Sequence, residues 1–283
     1  MNPCYDLHSH SIASDGALSP TALVERAQSK CVTALALTDH DTTQGLAKAR
    51  ACADSLGIQL INGIELSIVW ENKSIHIVGL GINPEYPPLA KAAEYIQALR
   101  LERAAKMSEK LAKKNITGAF EAVQQAAEGG SITRSHFADF LLSQRHVDSH
   151  QEAFDRYLSR GKSVYVPSVG LDLKEAINWI IEAGGVAVLA HPLRYQLTAN
   201  WMKRLLTAFK EAGGQAMEVV TGRNNPDEIK QLASYASNFE LAGSVGSDFH
   251  SPVNQWLELG RLAPLPDNIT PVWELPEFQT VAV

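Results

Sequence analysis

Six of the nine histidines fall in short clusters, several with carboxylates: Asp6-Leu7-His8-Ser9-His10, Thr38-Asp39-His40-Asp41, Ile75-His76-Ile77, Ala190-His191-Pro192 and Ser247-Asp248-Phe249-His250. Most follow an apolar run. Neutral imidazole and carboxylate form a common ligand set for Zn, Mn or Fe(II), and clusters this far apart in sequence can share ions only where a fold gathers strand ends. The pattern therefore predicts an α/β barrel whose ligands meet at one end.

Short β-type runs alternate with helical patterns over residues 1–98, and alternation resumes over residues 166–283, which favours a parallel sheet or barrel. Glu71-Asn72-Lys73 is expected to turn a hairpin between two strands, a local antiparallel departure. Between these parts, Pro88 to Lys114 reads as one long charged helix, followed by helical stretches near Ala119–Ala127, Ser135–Ser143 and Gln151–Ser159. Residues 99–165 are thus expected to form a helical insertion into one barrel-like domain. Charge separates the two parts. The insertion carries 11 Lys and Arg against 8 Asp and Glu, while the remainder carries 14 against 23, so a basic segment sits in a chain of net charge −6. That net charge argues against coating nucleic acid through a general basic field, and an anionic substrate is expected to meet the insertion.

No stretch approaches the roughly 18 consecutive apolar residues of a membrane span, and Met1-Asn2-Pro3-Cys4-Tyr5 does not read as a secretion signal. Cys4, Cys31 and Cys52 have no Cys-x-x-Cys spacing and read as reduced, buried thiols of a cytoplasmic protein. Nothing marks an obligate protein partner.

Alternate residues of a strand face the same way, so His8 and His10 can address one ion while Ser9 points away. Asp15, in Ser14-Asp15-Gly16, reads alone as an ordinary Asp-Gly turn, and with His10 five residues before it as a carboxylate folded back over the strand end. Glu65 interrupts an apolar run where a charge requires a cation or salt bridge, and its two oxygens can bridge two ions. His76 and His191 are embedded between apolar neighbours, where a single histidine is more often a hydrogen-bonded core residue. Asp248 and His250 repeat the i, i+2 spacing. Nine such donors, with His40, point together to a polynuclear metal site.

In order and spacing, Asp-Leu-His-x-His-Ser, Ser-Asp-Gly, Thr-Asp-His-Asp, Gly-x-Glu, His-Ile-x-Gly, Ala-His-Pro and Ser-Asp-Phe-His resemble the PHP (polymerase and histidinol phosphatase) phosphoesterases. The resemblance is closest to the branch with 3′,5′-nucleoside bisphosphate phosphatase and the 5′-to-3′ exoribonuclease RNase AM. It implies a distorted, TIM-like seven-stranded barrel holding three divalent ions, Mn first among Mn, Fe and Zn. It further implies that His8, His10, Glu65 and Asp248 hold one ion. Glu65 would bridge to a second ion on His76 and His191, and Asp15, His40 and His250 would hold a third. A bridging hydroxide held by Glu65, His10 and Asp248 would be the nucleophile, and Asp6, Asp39 and Asp41 would orient imidazoles. The chain has no Gly-x-Ser-x-Gly elbow, P-loop or Rossmann fingerprint.

Arg100, Arg103, Arg134, His136 and Arg160, with Lys162, are the candidate substrate-binding residues, since guanidinium forks suit phosphate oxygens. The expected substrates are 3′,5′-bisphosphonucleotides and 5′-phosphorylated RNA ends: the insertion anchors the 5′-phosphate while the metals cut the bond to the 3′-phosphate. Histidinol phosphate phosphatase is the alternative enzyme, disfavoured by the long basic insertion. A non-catalytic PHP structural module and a nucleic-acid-binding protein without catalysis are the readings outside enzymology.

Overall fold

The computed structural model describes residues 3–127, 130–168 and 170–279; Met1 and Asn2 of the N-terminal stretch discussed above lie outside them. In chain order the first elements are β1 (Tyr5–Asp6), α1 (Pro20–Ser29), β2 (Ala34–Leu37), α2 (Leu46–Leu56), β3 (Gln59–Trp70) and β4 (Lys73–Leu80). A helical segment follows, with α3 (Pro87–Ala112), α4 (Ala119–Ala126), α5 (Arg134–Ser143) and α6 (His150–Ala153). The chain then returns through α7 (Leu173–Glu182), β5 (Val186–Leu189), α8 (Ala199–Glu211), β6 (Ala216–Thr221), α9 (Pro226–Asn238) and β7 (Ala242–Gly246).

The seven strands lie in sequence order in one sheet, parallel except that β4 is antiparallel to both its neighbours. Glu71 and Asn72, at φ 48° and 59°, supply the left-handed pair that a tight two-residue hairpin requires. Because β4 runs backwards, its beginning lies where the other strands end, which brings His76 to the same rim as the remaining clusters. The sheet curls until its ends meet: Leu7 N–H donates to the Val245 carbonyl at 3.0 Å, and His10 N–H to Phe249 at 2.9 Å. Thus β1 is shorter than the Cys4–His8 run suggests: beyond Asp6 the backbone is tied by separate bonds on both sides, to Val245 and Phe249 across the closing seam and from Thr38 N–H to the Ser9 carbonyl on the β2 side.

Alternation along the strands sorts the core into layers. Ala34, Ala36, Val186, Val188, Ala216 and Ala242 belong to an inner cluster with Leu7, Ile61 and Val78, and the small alanines suit a narrow lumen. Their neighbours face helices: Leu35 and Leu37 pack with Leu23, Val24 and Ala49 of α1 and α2, and Ala187 and Leu189 with Ile177, Ile180 and Leu206 of α7 and α8. Each fully buried Leu or Ile here is worth about 1.5–3 kcal/mol relative to exposure.

Helix α3 runs across residue 98 without interruption. Its early residues Leu89, Ala92 and Ile96 join the outer barrel core, and its later residues Ala104, Met107 and Leu111 join a separate cluster with Val123, Phe137, Leu141 and Leu158. One rigid helix therefore carries the helical segment on the barrel. Where a helix is expected over Gln151–Ser159, α6 stops at Ala153 and the chain continues as a π-helical turn over Phe154–Leu158. All three cysteines are free thiols, but none is buried as expected: Cys4 and Cys52 are half-buried, and Cys31 is exposed because it occupies the left-handed turn (φ 60°) that leaves α1 for β2.

Candidate metal centre and substrate cavity

Glu65 is the hub of the site. It sits in mid-β3, fully buried, with five imidazoles around its two oxygens: His76 Nδ1 at 2.9 Å, His191 Nε2 at 3.0 Å and His8 Nε2 at 3.5 Å from Oε1, and His40 Nδ1 at 2.7 Å and His10 Nε2 at 3.4 Å from Oε2. His8 Nε2 and His10 Nε2 lie 3.1 Å apart, and Asp248 Oδ1 is 3.4 Å from the first and 3.2 Å from the second. Asp15 Oδ1 lies 3.3 Å from His250 Nε2, 3.8 Å from His40 Nε2 and 4.0 Å from His10 Nδ1. All nine candidate ligands are therefore gathered at one barrel end.

The backbone is forced to reach this arrangement. His191, Asp248 and the Asp41 that follows His40 have φ of 28°, 54° and 52°, a region costly for residues with a Cβ and found mainly where the surroundings fix it. Gly246 answers a different need: a Cβ there would lie 2.4 Å from the His8 Cβ, so only glycine lets β7 approach β1.

Hydrogen bonds select which nitrogen each imidazole offers. His8 Nδ1–H donates to Glu218 Oε1 at 2.6 Å, His250 Nδ1–H donates to the Asp248 carbonyl at 2.9 Å, and His10 Nδ1–H faces Ser14 Oγ at 3.4 Å. Ser14 Oγ in turn donates to Asp39 at 2.6 Å. Each of the three rings thus presents Nε2 to the carboxylates, the tautomer a metal ligand needs.

Glu218, a lone carboxylate within Ala216-Met217-Glu218-Val219-Val220, was missed in the sequence, although its signal is the one that marks Glu65. Asp6, Asp39 and Asp41 touch no imidazole, contrary to expectation. Asp6 accepts the Ser247 and Gly260 amides, Asp39 accepts the Ser11 amide and the Ser11 and Ser14 hydroxyls, and Asp41 accepts the Ser67 amide. They brace the loops that carry the ligands, because short Asp side chains next to loop amides are satisfied locally before they can reach a ring.

Charge tests whether this donor set suits cations. Burial favours protonation of Asp15, Glu65 and Asp248, yet surrounding imidazoles hold all three well below the ordinary carboxylate range, with Arg194 leading for Asp248. Burial likewise opposes charge on His8 and His250, but Glu218 holds His8 well above its ordinary value, and Asp15 and Asp248 push His250 up to about 9. His10 is pulled down to about 3 by burial and the His250 cation. Without metal, protons on imidazoles balance the carboxylates. Asp15 Oδ1, Glu65 Oε2 and His40 Nδ1 remain buried with no aligned hydrogen bond, and three groups of donor atoms each converge within 4.8 Å: His10, Asp15, His40 and His250; His8, His10 and Glu65; His40, Glu65 and His76. Nitrogen and oxygen donors gathered this way fit divalent cations.

Above this floor opens a cavity of about 240 Å³, whose far wall is the helical segment: Arg100, Arg103, Arg134 and Phe154. Arg103 is buried and gives Nε–H to the Val166 carbonyl at 3.1 Å, while its Nη2 has no hydrogen-bond partner among the described residues. Burial and the nearby Arg134 and Arg100 charges depress it to about 9, so an anion here would relieve a stressed cation. Arg134 lies 5.8 Å from the Phe154 ring centre. Arg100 lines the same wall but is spent on Asp41, Ser67 and the Ile132 carbonyl. His136 is used locally, its Nδ1 accepting the Thr133 amide in a capping box, and Arg160 is exposed; neither lines the cavity. Arg194, paired with Asp248, and Phe154 do line it, and no sequence pattern singled them out.

Residues 6–166 match the PHP domain. The chain belongs to the PHP family. This PHP chain is 47% identical over 96% of its length to the Escherichia coli 5′-3′ exoribonuclease Rnm, covering 93% of that protein. It is 41% identical over 95% of its length to a 3′,5′-nucleoside bisphosphate phosphatase of Chromobacterium violaceum, covering 94% of it. A solved structure described as an amidohydrolase from Chromobacterium violaceum, with bound sulfate and no metal, superposes with a TM-score of 0.92 at 40% identity, covering 98% of this chain and 96% of that one. As a PHP protein of this kind the chain is a phosphoester hydrolase. No described helix is long and apolar enough to cross a membrane.

Proposed function

We propose that this protein cleaves the 3′-phosphate ester of 5′-phosphorylated nucleotides, converting 3′,5′-bisphosphonucleosides to nucleoside 5′-monophosphates and phosphate, and releasing mononucleotides stepwise from 5′-monophosphorylated RNA in the cytoplasm. The observation that carries this reading is the unpaired Arg103 Nη2, with Arg134 beside it, across one small cavity from the cluster of nine donors. One wall can hold a phosphate that does not react while the floor takes the phosphate that does.

His8, His10, Glu65 and Asp248 would hold one ion, Glu65, His76 and His191 a second, and Asp15, His40 and His250 a third, with Mn2+ the first candidate metal. When bound, such ions supply Lewis acidity for phosphoester hydrolysis. Arg103 and Arg134 bind the 5′-phosphate and fix the distance to the scissile phosphorus, which makes attack effectively unimolecular. Water is consumed, the P–O3′ bond breaks, and the nucleoside leaves with its 3′-oxygen protonated. On RNA the phosphorus stays with the downstream chain, so a fresh 5′-phosphate is ready for the next cycle.

Turnover of adenosine 3′,5′-bisphosphate and of RNA oligonucleotides bearing 5′-hydroxyl, 5′-monophosphate or 5′-triphosphate, by Mn-loaded protein, tests this. The expected result is turnover of the bisphosphate and a strong preference for 5′-monophosphate RNA. Equal rates on 5′-hydroxyl and 5′-monophosphate RNA would remove the Arg103 and Arg134 anchor, and no turnover of either substrate class would remove the proposal.

A further inference from the structure

A second cavity, of about 180 Å³, adjoins the first and shares His191 and Arg194 with it. Its remaining wall comes from the loop after β6 and the start of α9, with Thr221, Arg223 and Asn224 foremost. Neither Arg103, Arg134 nor Phe154 reaches it, so it opens from the metal floor by a route separate from the helical wall.

The polar groups here are unequally occupied. Arg194 is committed to Asp248, and Glu228 accepts the Asn225 amide at 2.9 Å and the Asn224 amide group at 3.4 Å as part of the cap of α9. Asn224 Oδ1 accepts the Thr221 amide at 2.9 Å, fixing the loop. The Arg223 guanidinium makes no hydrogen bond or ion pair among the described residues, although it stands on a braced loop beside the metal floor. The neighbouring rim loop packs on this one, since a Cβ at Gly222 would meet Leu257 at 2.6 Å, and that loop exposes 86% of Trp256. A free guanidinium and an exposed indole on adjacent loops are the two elements by which proteins track single-stranded nucleic acid.

We infer that the Arg223 pocket, flanked by the Trp256 loop, is the path of the RNA chain on the downstream side of the scissile phosphate, with Arg223 taking the phosphodiester between the second and third nucleotides. The inference rests on the activity proposed above. It follows from which product keeps the phosphorus: everything beyond the scissile phosphate belongs to the retained chain, and a 3′,5′-bisphosphonucleoside has nothing there. A contact on this side separates RNA from small bisphosphates, which the Arg103 wall, common to both, does not.

The test compares wild type with Arg223→Ala on a ladder of 5′-phosphorylated substrates: the 3′,5′-bisphosphonucleoside, the dinucleotide and the trinucleotide. Arg223→Ala is expected to raise KM for the trinucleotide about tenfold, leave the bisphosphate and dinucleotide unchanged, and lower the salt dependence of trinucleotide KM by about one counterion. Trp256→Ala is expected to raise KM for the trinucleotide and not for the bisphosphate; an unchanged value takes the indole out of the path. Equal losses on all three substrates, or no loss on the trinucleotide, overturn the role of Arg223 while leaving the activity standing. If the wild-type protein turns over none of the ladder, the activity and the path fall together.

Discussion

Arg100, on the long helix α3, gives its Nε–H to Asp41 Oδ2 at 2.7 Å, and Asp41 directly follows His40 in the metal floor. The same guanidinium reaches Ser67 Oγ at 2.7 Å and the Ile132 carbonyl at 2.9 Å, so one buried cation ties barrel and helical segment together. Arg100→Ala leaves the fully buried Asp41 carboxylate without its counter-charge, a change that typically costs about 3–5 kcal/mol. Thermal or denaturant unfolding is expected to show a loss of that size. The paired variant Arg100→Met with Asp41→Asn is expected to lose much less, and a double variant as unstable as Arg100→Ala would show that the ion pair is not the cause.

Glu218 stands directly behind two of the candidate metal ligands. Its Oε1 orients His8 and its Oε2 accepts the His191 amide at 2.5 Å, so one carboxylate positions two ligands. Glu218→Gln keeps the volume and loses the charge that polarises His8. Metal affinity is expected to fall about 10- to 100-fold with the fold intact, as when other outer partners of ligating histidines are removed. Competition with a chromophoric chelator, beside circular dichroism, measures both, and unchanged affinity would make Glu218 a packing residue only.

Much of this cluster was legible because its candidate ligands violate the pattern around them. Glu65 stands out as a charge in an apolar run, and His8 with His10 as alternate residues of a strand. The hairpin at Glu71-Asn72 was equally plain as a polar break between two β-type runs, although only Asn72 is a residue that favours a left-handed turn. Arg194 and Phe154 were illegible for the opposite reason. An arginine in a loop and a phenylalanine in an amphipathic stretch satisfy the local pattern, and only packing of the helical segment over the barrel gives them a cavity to face. Arg100 and Arg103, three apart on one helix, look equivalent in sequence, yet the first is consumed by Asp41 while the second keeps a free nitrogen.

Protons and metals compete for the same nitrogens. With its pKa near 9 in the metal-free protein, His250 carries a proton at pH 7, whereas His10, near 3, does not. A ligating imidazole must be neutral, so metal binding at pH 7 expels the His250 proton. The sign follows: affinity is expected to rise as pH increases from 7 towards 9, by about tenfold per unit for the His250 proton and more steeply where His8, which Glu218 also holds protonated, gives up its own. Calorimetric titration with Mn2+ in buffers of different ionisation enthalpy reads the released protons directly. Identical heats in all buffers would show that His250 is already neutral. Metal removal by chelation is expected to abolish turnover, and reloading with Mn2+ to restore it, with three ions per chain by elemental analysis.

Phe154 supplies a flat apolar face in a cavity otherwise lined by charged and hydroxyl groups, and it opens the π-helical turn that replaces the last turn of α6. A nucleotide held by its 5′-phosphate at Arg103 and Arg134 and by its 3′-phosphate at the metal floor must put its base somewhere between, and Phe154 beside Arg134 is suited to stack on it. Stacking on an aromatic ring is worth about 1–3 kcal/mol per base and accepts any base. Phe154→Ala is accordingly expected to raise KM for adenosine, guanosine, cytidine and uridine 3′,5′-bisphosphates by about 5- to 150-fold, with kcat changed by less than about threefold, because the phosphates still fix the reacting atoms. Phe154→Tyr should restore KM, since the ring is kept. A fall in kcat at unchanged KM would instead assign Phe154 to holding Arg134 in place.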